Sequence, residues 1–380
     1  MMTKNETLML NLLKSALWNK RADLSLFNTK DIDWQEILEI ANKQGVISLV
    51  ASAIRQLEDQ GLSEEYLPNE IVNKCVTLQF AIIKQTSSVV PTIESVVQKL
   101  REAGIEPILL KGHGVAKYYL KPDFRYCGDI DLYLGDYVDK AVEMLKDYSE
   151  FFDDSHDYEK HFNMRWNNIE VELHRSAINV MHNRRIKLLH EWTENELHSS
   201  NNRQVVIGNT NITVPSELFD SIYILYHLWW HFVNGGMGIR PFCDWVMCLY
   251  RVGDNLDKKQ LELLLKKFGM FNVWIAFGHV AVDQLGLPKE KLPLYSHRKK
   301  YLGKKITELA MEYGSFGREH YKHEVVDSMK KGVFVYKLKS FCFYVKLHFW
   351  GFMISPILTI PIINKYWEER FSRYRKRLFH

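Results

Sequence analysis

Residues 105–134 read IEPILLKGHGVAKYYLKPDFRYCGDIDLYL. An apolar run stops at Lys111-Gly112, and a second apolar run carries Asp129 and Asp131 at alternate positions. Strand side chains point alternately to opposite faces, so the two aspartates share one face while Ile130 and Leu132 turn toward a core. Two like charges on one face repel, and aspartate is depleted in strands, so the pair wants a reason; a divalent cation bridging both carboxylates supplies one. The plain alternative is a solvated strand end with two incidental acids. What separates the two accounts is the company the pair keeps.

Upstream, Ile105 to Leu110 reads as a short buried strand. Gly112 and Gly114 then let the backbone turn sharply before Val115 to Tyr119 starts a helix. A glycine turn feeding a helix N-terminus presents free N–H groups to an anion. Lys111 adds a point charge there, and Arg125 is suited to a bidentate grip on phosphate oxygens. Gly128 lets a phosphate or metal come close to the backbone. Downstream, the alternation in residues 168–174, NIEVELH, puts Glu170, Glu172 and His174 on one strand face. One of those acids completes a three-carboxylate site, which makes the whole stretch read as the phosphate- and metal-binding half of a nucleotidyl-transfer centre.

The stretches LLKGHGVAKYY, RYCGDIDL and VELH, in that order, resemble a bacterial nucleotidyltransferase family within the DNA polymerase β-like nucleotidyltransferase superfamily. The resemblance runs from about Trp34 to Leu249. It implies an α+β fold, with a small mixed β-sheet core flanked by N- and C-terminal helical regions. It implies that Asp129 and Asp131 hold the catalytic metals, and that Glu172 rather than Glu170 is the third acid because it directly precedes Leu-His. There is one departure: His113 intervenes before Gly114, where many members follow the turn glycine with serine or a second glycine. By the same resemblance, the cluster of His231, Gly235-Gly236, Arg240 and Cys243-Asp244 places His231, Arg240 and Asp244 beside the sheet as nucleotide or acceptor contacts. An Arg–Asp pair four apart within one helix is the plain account of Arg240 and Asp244.

With 380 residues and 46% apolar residues the chain is long enough for two or three domains with well-filled cores. The boundaries expected are a helical region over 1–100, the catalytic core over 101–178, a helical domain completing the site over 179–330, and an apolar and basic tail over 331–380. A formal charge of +4 does not by itself argue for a polyanion partner. The five cysteines are scattered and lack C-x-x-C spacing, which disfavours both a disulfide framework and a thiolate zinc site and fits a reducing cytoplasm. The first nineteen residues are amphipathic and broken by charges, unlike a secretory signal.

Along the chain, apolar residues at three- and four-residue steps predict helices over Glu6 to Trp18, Trp34 to Gln56, and about Asn69 to Ala103, the last with a bend at Pro91. A further helix is expected over Tyr137 to Tyr148. The acidic run from Glu150 to Asp157 reads as a solvated loop; Asp153, Asp154 and Asp157 lack the spacing of a calcium loop. Asn167-Asn168 signals a hairpin whose strands bring His161 and Arg165 toward a bound nucleotide, and Gly208-Asn209 signals a second, small hairpin within a helical region. Pro215-Ser216-Glu217 opens a strong helix carrying His227 and His231 four apart on one face. No third metal ligand accompanies them, so ordinary packed histidines are the expectation. Finally, Lys337 to Ile363 is apolar and aromatic, is interrupted by Lys346, His348 and two prolines expected to break a helix, and is followed by Arg370, Arg373, Arg375, Lys376 and Arg377. Its clean part is too short to span a bilayer. Residues 337–377 suit peripheral contact with the inner face of a membrane, or a C-terminal helix pair packed on the body.

The chemistry expected is Mg²⁺- or Mn²⁺-dependent transfer of a nucleoside monophosphate from an NTP to a hydroxyl. Lys111, Gly112, His113, Gly114, Arg125 and Gly128 would contact the nucleotide, and the acceptor would be a small molecule, sugar, protein or RNA end. Two other classes fit the same residues. One is a nucleotide-binding regulatory module without turnover, and the other a membrane-associated interaction protein using the fold as a scaffold.

Overall fold

The computed structural model describes residues 2–151, 161–178, 183–314 and 333–378. The acidic segment with Asp153, Asp154 and Asp157 lies outside the described residues. The chain opens with α1 (Lys4–Trp18), α2 (Trp34–Lys43), α3 (Ile47–Asp59) and α4 (Asn69–Glu102). Each start has a local cause: the Thr3 and Glu6 side chains exchange hydrogen bonds with each other's backbone at α1, and Asp33 accepts from the Glu36 N–H at α2. The stretch expected as one helix from Trp34 to Gln56 is two, because Gly45 takes φ +68 and ends the first. α4, by contrast, continues through Pro91.

Among the described residues, seven strands make one mixed sheet. They are β1 (Ile108–Leu109), β2 (Asp129–Tyr133), β3 (Glu150–Phe151), β4 (His161–Trp166), β5 (Ile169–His174), β6 (Arg203–Ile207) and β7 (Thr210–Val214). Their spatial order is β3-β4-β5-β2-β1-β7-β6. Both predicted hairpins form. Asn167 and Asn168 adopt φ +51 and +62, and Gly208 adopts +59, the left-handed values that two-residue hairpin turns require. The second hairpin, however, does not stand alone in a helical region. β7 runs parallel to β1, so the sheet takes in residues 203–214 as well as the 101–178 stretch.

The back of the sheet is apolar. Ile130, Leu132, Val171, Leu173, Met164 and Val214 pack there against Val89, Ile93, Val96 and Leu100 of α4 and against α6 (Val138–Leu145). These residues are at most 1% exposed, and burying each side chain of this size contributes about 1.5–3 kcal/mol. The other face carries the charged residues, and a second, larger core of helices closes over one end of it. Those helices are α8 (Glu217–Asn234), capped by Ser216, and α9 (Arg240–Val252), with α7 (Arg184–Leu197), α10 (Lys258–Lys267), α11 (Phe271–His279) and α12 (Lys300–Tyr313) around them. The mixed α+β architecture agrees with the sequence expectation.

The chain ends in a helical hairpin, α13 (Val333–Ile354) and α14 (Pro356–Leu378). Pro356 starts α14, where a missing N–H costs nothing, and Pro361 lies inside the helix without ending it, contrary to the break expected. Leu347, Ile354, Leu358 and Ile362 bury themselves in the helical core, while Leu338, Phe341, Val345, Phe349 and Phe352 form an exposed stripe at three- and four-residue steps. Among the described residues no helix is long and apolar enough to cross a membrane.

Candidate active site

The turn between β1 and the following helix comes first. Gly114 donates its N–H to the Lys111 carbonyl at 3.0 Å, closing a β-turn in which Gly112 sits at φ +52, ψ −121. That is the first central position of a II′ turn, open essentially to glycine, and an added Cβ would lie 3.3 Å from the Asp129 carbonyl oxygen. The helix that follows, α5, is a single turn (His113–Ala116), shorter than the sequence suggests, because Tyr118 and Tyr119 leave it for other duties. The Tyr118 hydroxyl donates to Asp220 of α8 at 2.6 Å, and the Tyr119 hydroxyl donates to Asp244 of α9 at 2.7 Å.

β2 and β5 run parallel with Asp129 opposite Glu170 and Asp131 opposite Glu172. Residues opposite one another in a ladder share a face, so the four carboxylates form two rows. The inner row is tied to Lys111 and His174. Asp131, only 1% exposed, accepts from Lys111 Nζ at 2.8 Å and faces His174 Nε2 at 2.9 Å, and that imidazole nitrogen lies 3.1 Å from Glu172 Oε2. Burial opposes the charge on Asp131, but Lys111 and His174 outweigh it and hold the carboxyl well below the usual range. Glu172 follows: burial and Asp131 push it up, and His174 and Lys111 bring it net below its ordinary value. The outer row behaves oppositely. Desolvation by the cleft walls, then repulsion from Asp131, raises Asp129, while desolvation and the neighbouring Glu172 raise Glu170. Crowded carboxylates with raised proton affinity are also hard oxygen donors seeking a cation, which is the donor chemistry of a Mg²⁺ or Mn²⁺ site.

Asp129 and Asp131 open into a cleft between the sheet and helices α8 and α9. Its walls include Lys111, Gly112, Val115, Tyr223, Ile224, His227, Leu228, Arg240, Pro241, Asp244 and the edge of Arg125. The volume of the cleft is about 100 Å³. The Nε of Arg240 is buried and makes no hydrogen bond, which leaves a guanidinium donor at the wall contributed by α9.

The predicted residues divide accordingly. Lys111, Gly112, Asp129, Asp131, Arg240 and Asp244 meet at the cleft, and Glu172 lies beside Asp131 across the ladder. Arg125 reaches the cleft but spends its guanidinium on Asp244 rather than holding it out for a phosphate: Nε to Oδ1 at 3.1 Å and Nη2 to Oδ2 at 2.9 Å, with both residues under 9% exposed. The intrahelical Arg240–Asp244 pairing is thereby displaced by a longer-range one. His113 does not line the cleft; its Nε2 lies 3.1 Å from the Thr86 carbonyl of α4, and burial pushes its pKa down to about 4. Gly114 and Gly128 serve packing: a Cβ on Gly114 would meet Val214 at 3.2 Å, and one on Gly128 would meet the Tyr126 hydroxyl at 2.7 Å. His231 is exposed one turn beyond His227, and it is His227 that lines the wall. Sequence reading missed Tyr223, a fully apolar-looking position in a helix of aromatics, and gave His174 no role beyond its strand face.

Residues 30–286 match the family model described as "Uncharacterised nucleotidyltransferase". No curated protein sequence matches the chain. Among solved structures, an antigenic nucleotidyltransferase-like protein from Paracoccidioides brasiliensis aligns at 11% identity and a TM-score of 0.33, over 56% of this chain and 95% of that one.

Proposed function

The chain belongs to the uncharacterised nucleotidyltransferase family, and from that premise we propose that it transfers a nucleoside monophosphate from an NTP to a hydroxyl acceptor with release of pyrophosphate. The observation that carries the reading is the parallel β2–β5 register, which sets Asp129, Asp131 and Glu172 on one face of the sheet, the two aspartates opening into a cleft bordered by Lys111 and Arg240. Asp129 and Asp131, with Glu172, would hold Mg²⁺ or Mn²⁺. Ions bound there would supply activation of the acceptor oxygen and charge neutralisation on the departing pyrophosphate.

The chain's own groups divide the rest. Lys111 keeps its ammonium protonated, because Asp131, with Glu172 beyond, outweighs the burial that would neutralise it. It therefore presents fixed positive charge to a polyphosphate at the II′ turn. Arg240 adds a guanidinium donor at the wall contributed by α9. Glu172, beside Asp131 across the ladder, would help the acceptor hydroxyl lose its proton. Incubation with each of the four α-labelled triphosphates and Mg²⁺, followed by mass spectrometry of protein and small molecules, tests the reading. Label that never leaves the nucleotide, with binding intact, would favour the regulatory module instead.

A second feature supports a location for the protein. The exposed stripe from Leu338 to Phe352 continues onto Ile357 and Ile360 of α14, and ring contacts of Phe341 with Trp367 and of Tyr344 with Tyr366 lay the end of α14 alongside the start of α13. The sequence of that end carries Arg370, Arg373, Arg375, Lys376 and Arg377. An apolar aromatic stripe with a cationic end complements an anionic lipid surface, so the hairpin would rest on the cytoplasmic face of a membrane. Full-length protein should sediment with phosphatidylserine-containing vesicles and not with neutral ones, and Phe349→Ser with Phe352→Ser should release it. Equal recovery in the supernatant, or a dimer that the same substitutions dissolve, would remove this placement.

A further inference from the structure

We propose that His161, Glu172 and His174 form a binding site for a borderline divalent ion of the zinc class, built across the β4–β5 ladder beside the aspartate pair. One ligand atom from each of the three lies within 4.8 Å of those of the other two. The register explains why: His161 faces His174 and Asn163 faces Glu172, so all four side chains share the charged face of the sheet. The imidazole rings of His161 and His174 are 5.1 Å apart between centroids. His174 Nε2 is taken up by the carboxylates, 2.9 Å from Asp131 Oδ1 and 3.1 Å from Glu172 Oε2, which leaves the Nδ1 lone pair of the same ring for an ion.

A second observation points to a ligand at this place. His174 is fully buried, yet its Nδ1 has no hydrogen-bond partner, and neither has the buried Oδ1 of Asn163 across from Glu172. Orphaned polar atoms are rare inside proteins, and two in one patch call for something that fills their valences. The donor set chooses the occupant. Two imidazoles and one carboxylate suit Zn²⁺, Co²⁺ or Ni²⁺, whereas Mg²⁺ prefers oxygen alone and is served by the aspartates next door. The sheet therefore offers a soft and a hard place side by side, with Glu172 belonging to both. An ion in the soft place would bring positive charge to within one side chain of Asp131. The inference does not require nucleotidyl transfer, although it shares Glu172 with that reading.

Full-length protein freed of metal and titrated with Co²⁺ tests it. The expected result is a visible absorption band that saturates at one equivalent, is displaced by Zn²⁺, and persists in excess Mg²⁺. His161→Ala should weaken Co²⁺ binding by more than the roughly 10–100-fold that loss of an outer partner costs. His161→Gln, which keeps much of the volume, should do the same with an unchanged far-ultraviolet circular dichroism spectrum. Asp129→Asn should leave the band in place while removing transfer; in the unsubstituted protein, an intact band without any transfer would sink the proposed function alone. Absence of a band in the unsubstituted protein, His161 variants that bind Co²⁺ as tightly as the unsubstituted protein, or loss of the band in Asp129→Asn would overturn the soft site.

Discussion

Asp244→Asn is the sharpest test of how the two halves are joined. Asp244 is 8% exposed and Arg125 7%; they meet through two parallel hydrogen bonds of 2.9 and 3.1 Å, and the Tyr119 hydroxyl adds a third to the same carboxylate. Asparagine keeps one oxygen for Tyr119 but leaves the Arg125 guanidinium buried without a counter-charge. Breaking a buried pair from one side costs about 3–5 kcal/mol, and with one acceptor retained the lower end, about 3 kcal/mol, is expected. Arg125→Met should cost a similar amount, while the double variant, which buries no uncompensated charge, should cost far less than the two together. Urea unfolding of all four proteins, read as shifts in midpoint at constant slope, gives a coupling of at least about 2 kcal/mol. Additivity within about 0.5 kcal/mol would refute the assignment. The pH dependence has a definite sign. Burial opposes ionisation of Asp244, but Arg125 outweighs it, so the folded value lies below the ordinary one. The coupling is then fully present above the unfolded carboxylate value of about 3.9 and disappears as pH falls through the folded value, so it should stay constant from about pH 8 to about 5.

Asp131→Asn should lower transfer by at least about 100-fold, the scale of losing one electrostatic contact at a reacting centre, whereas Glu170→Gln should have a much smaller effect; equal activities of the two variants would contradict the two-row reading. His113, held neutral by burial with a folded pKa of about 4 against about 6.5 unfolded, destabilises the fold progressively as pH drops between those values, by about 3 kcal/mol at the limit. His113→Gln should flatten the dependence of the unfolding midpoint on pH in that window, and an unchanged slope would show that the imidazole is solvated. Gly112→Ala should cost more than about 1 kcal/mol from its φ of +52 alone, and its methyl group 3.3 Å from the Asp129 carbonyl should displace β2, measurable as weaker nucleotide binding.

Much of the sheet was legible because its signals are local. The alternation in residues 129–133 and 169–174 and the turn residues Asn167-Asn168 and Gly208 all act over a few positions, and all form as read. The order of the strands is not local: nothing near Thr210–Val214 announces that β7 pairs with β1 a hundred residues upstream. The same limit explains the site. The aspartate pair could be recognised from its own spacing, but the partner of Arg125 sits 119 residues away, and sequence offered Asp244 only its neighbour Arg240. Gly45 illustrates a smaller miss, since apolar periodicity runs unbroken through a point where one backbone angle ends the helix. His113 shows how a residue that interrupts a glycine turn can belong to the packing against α4 and not to the turn's chemistry.

Tyr118 and Tyr119 are adjacent in the chain, yet one is bonded to α8 and the other to α9. The short turn carrying Lys111 is thus pinned from outside the sheet by two phenols that reach in different directions. A fragment trimmed to the strands would keep its carboxylates but lose whatever keeps the ammonium aimed at them. Grafting this centre onto another scaffold would therefore mean transplanting both helices with it, and homologues that exchange one helix should have to exchange the other.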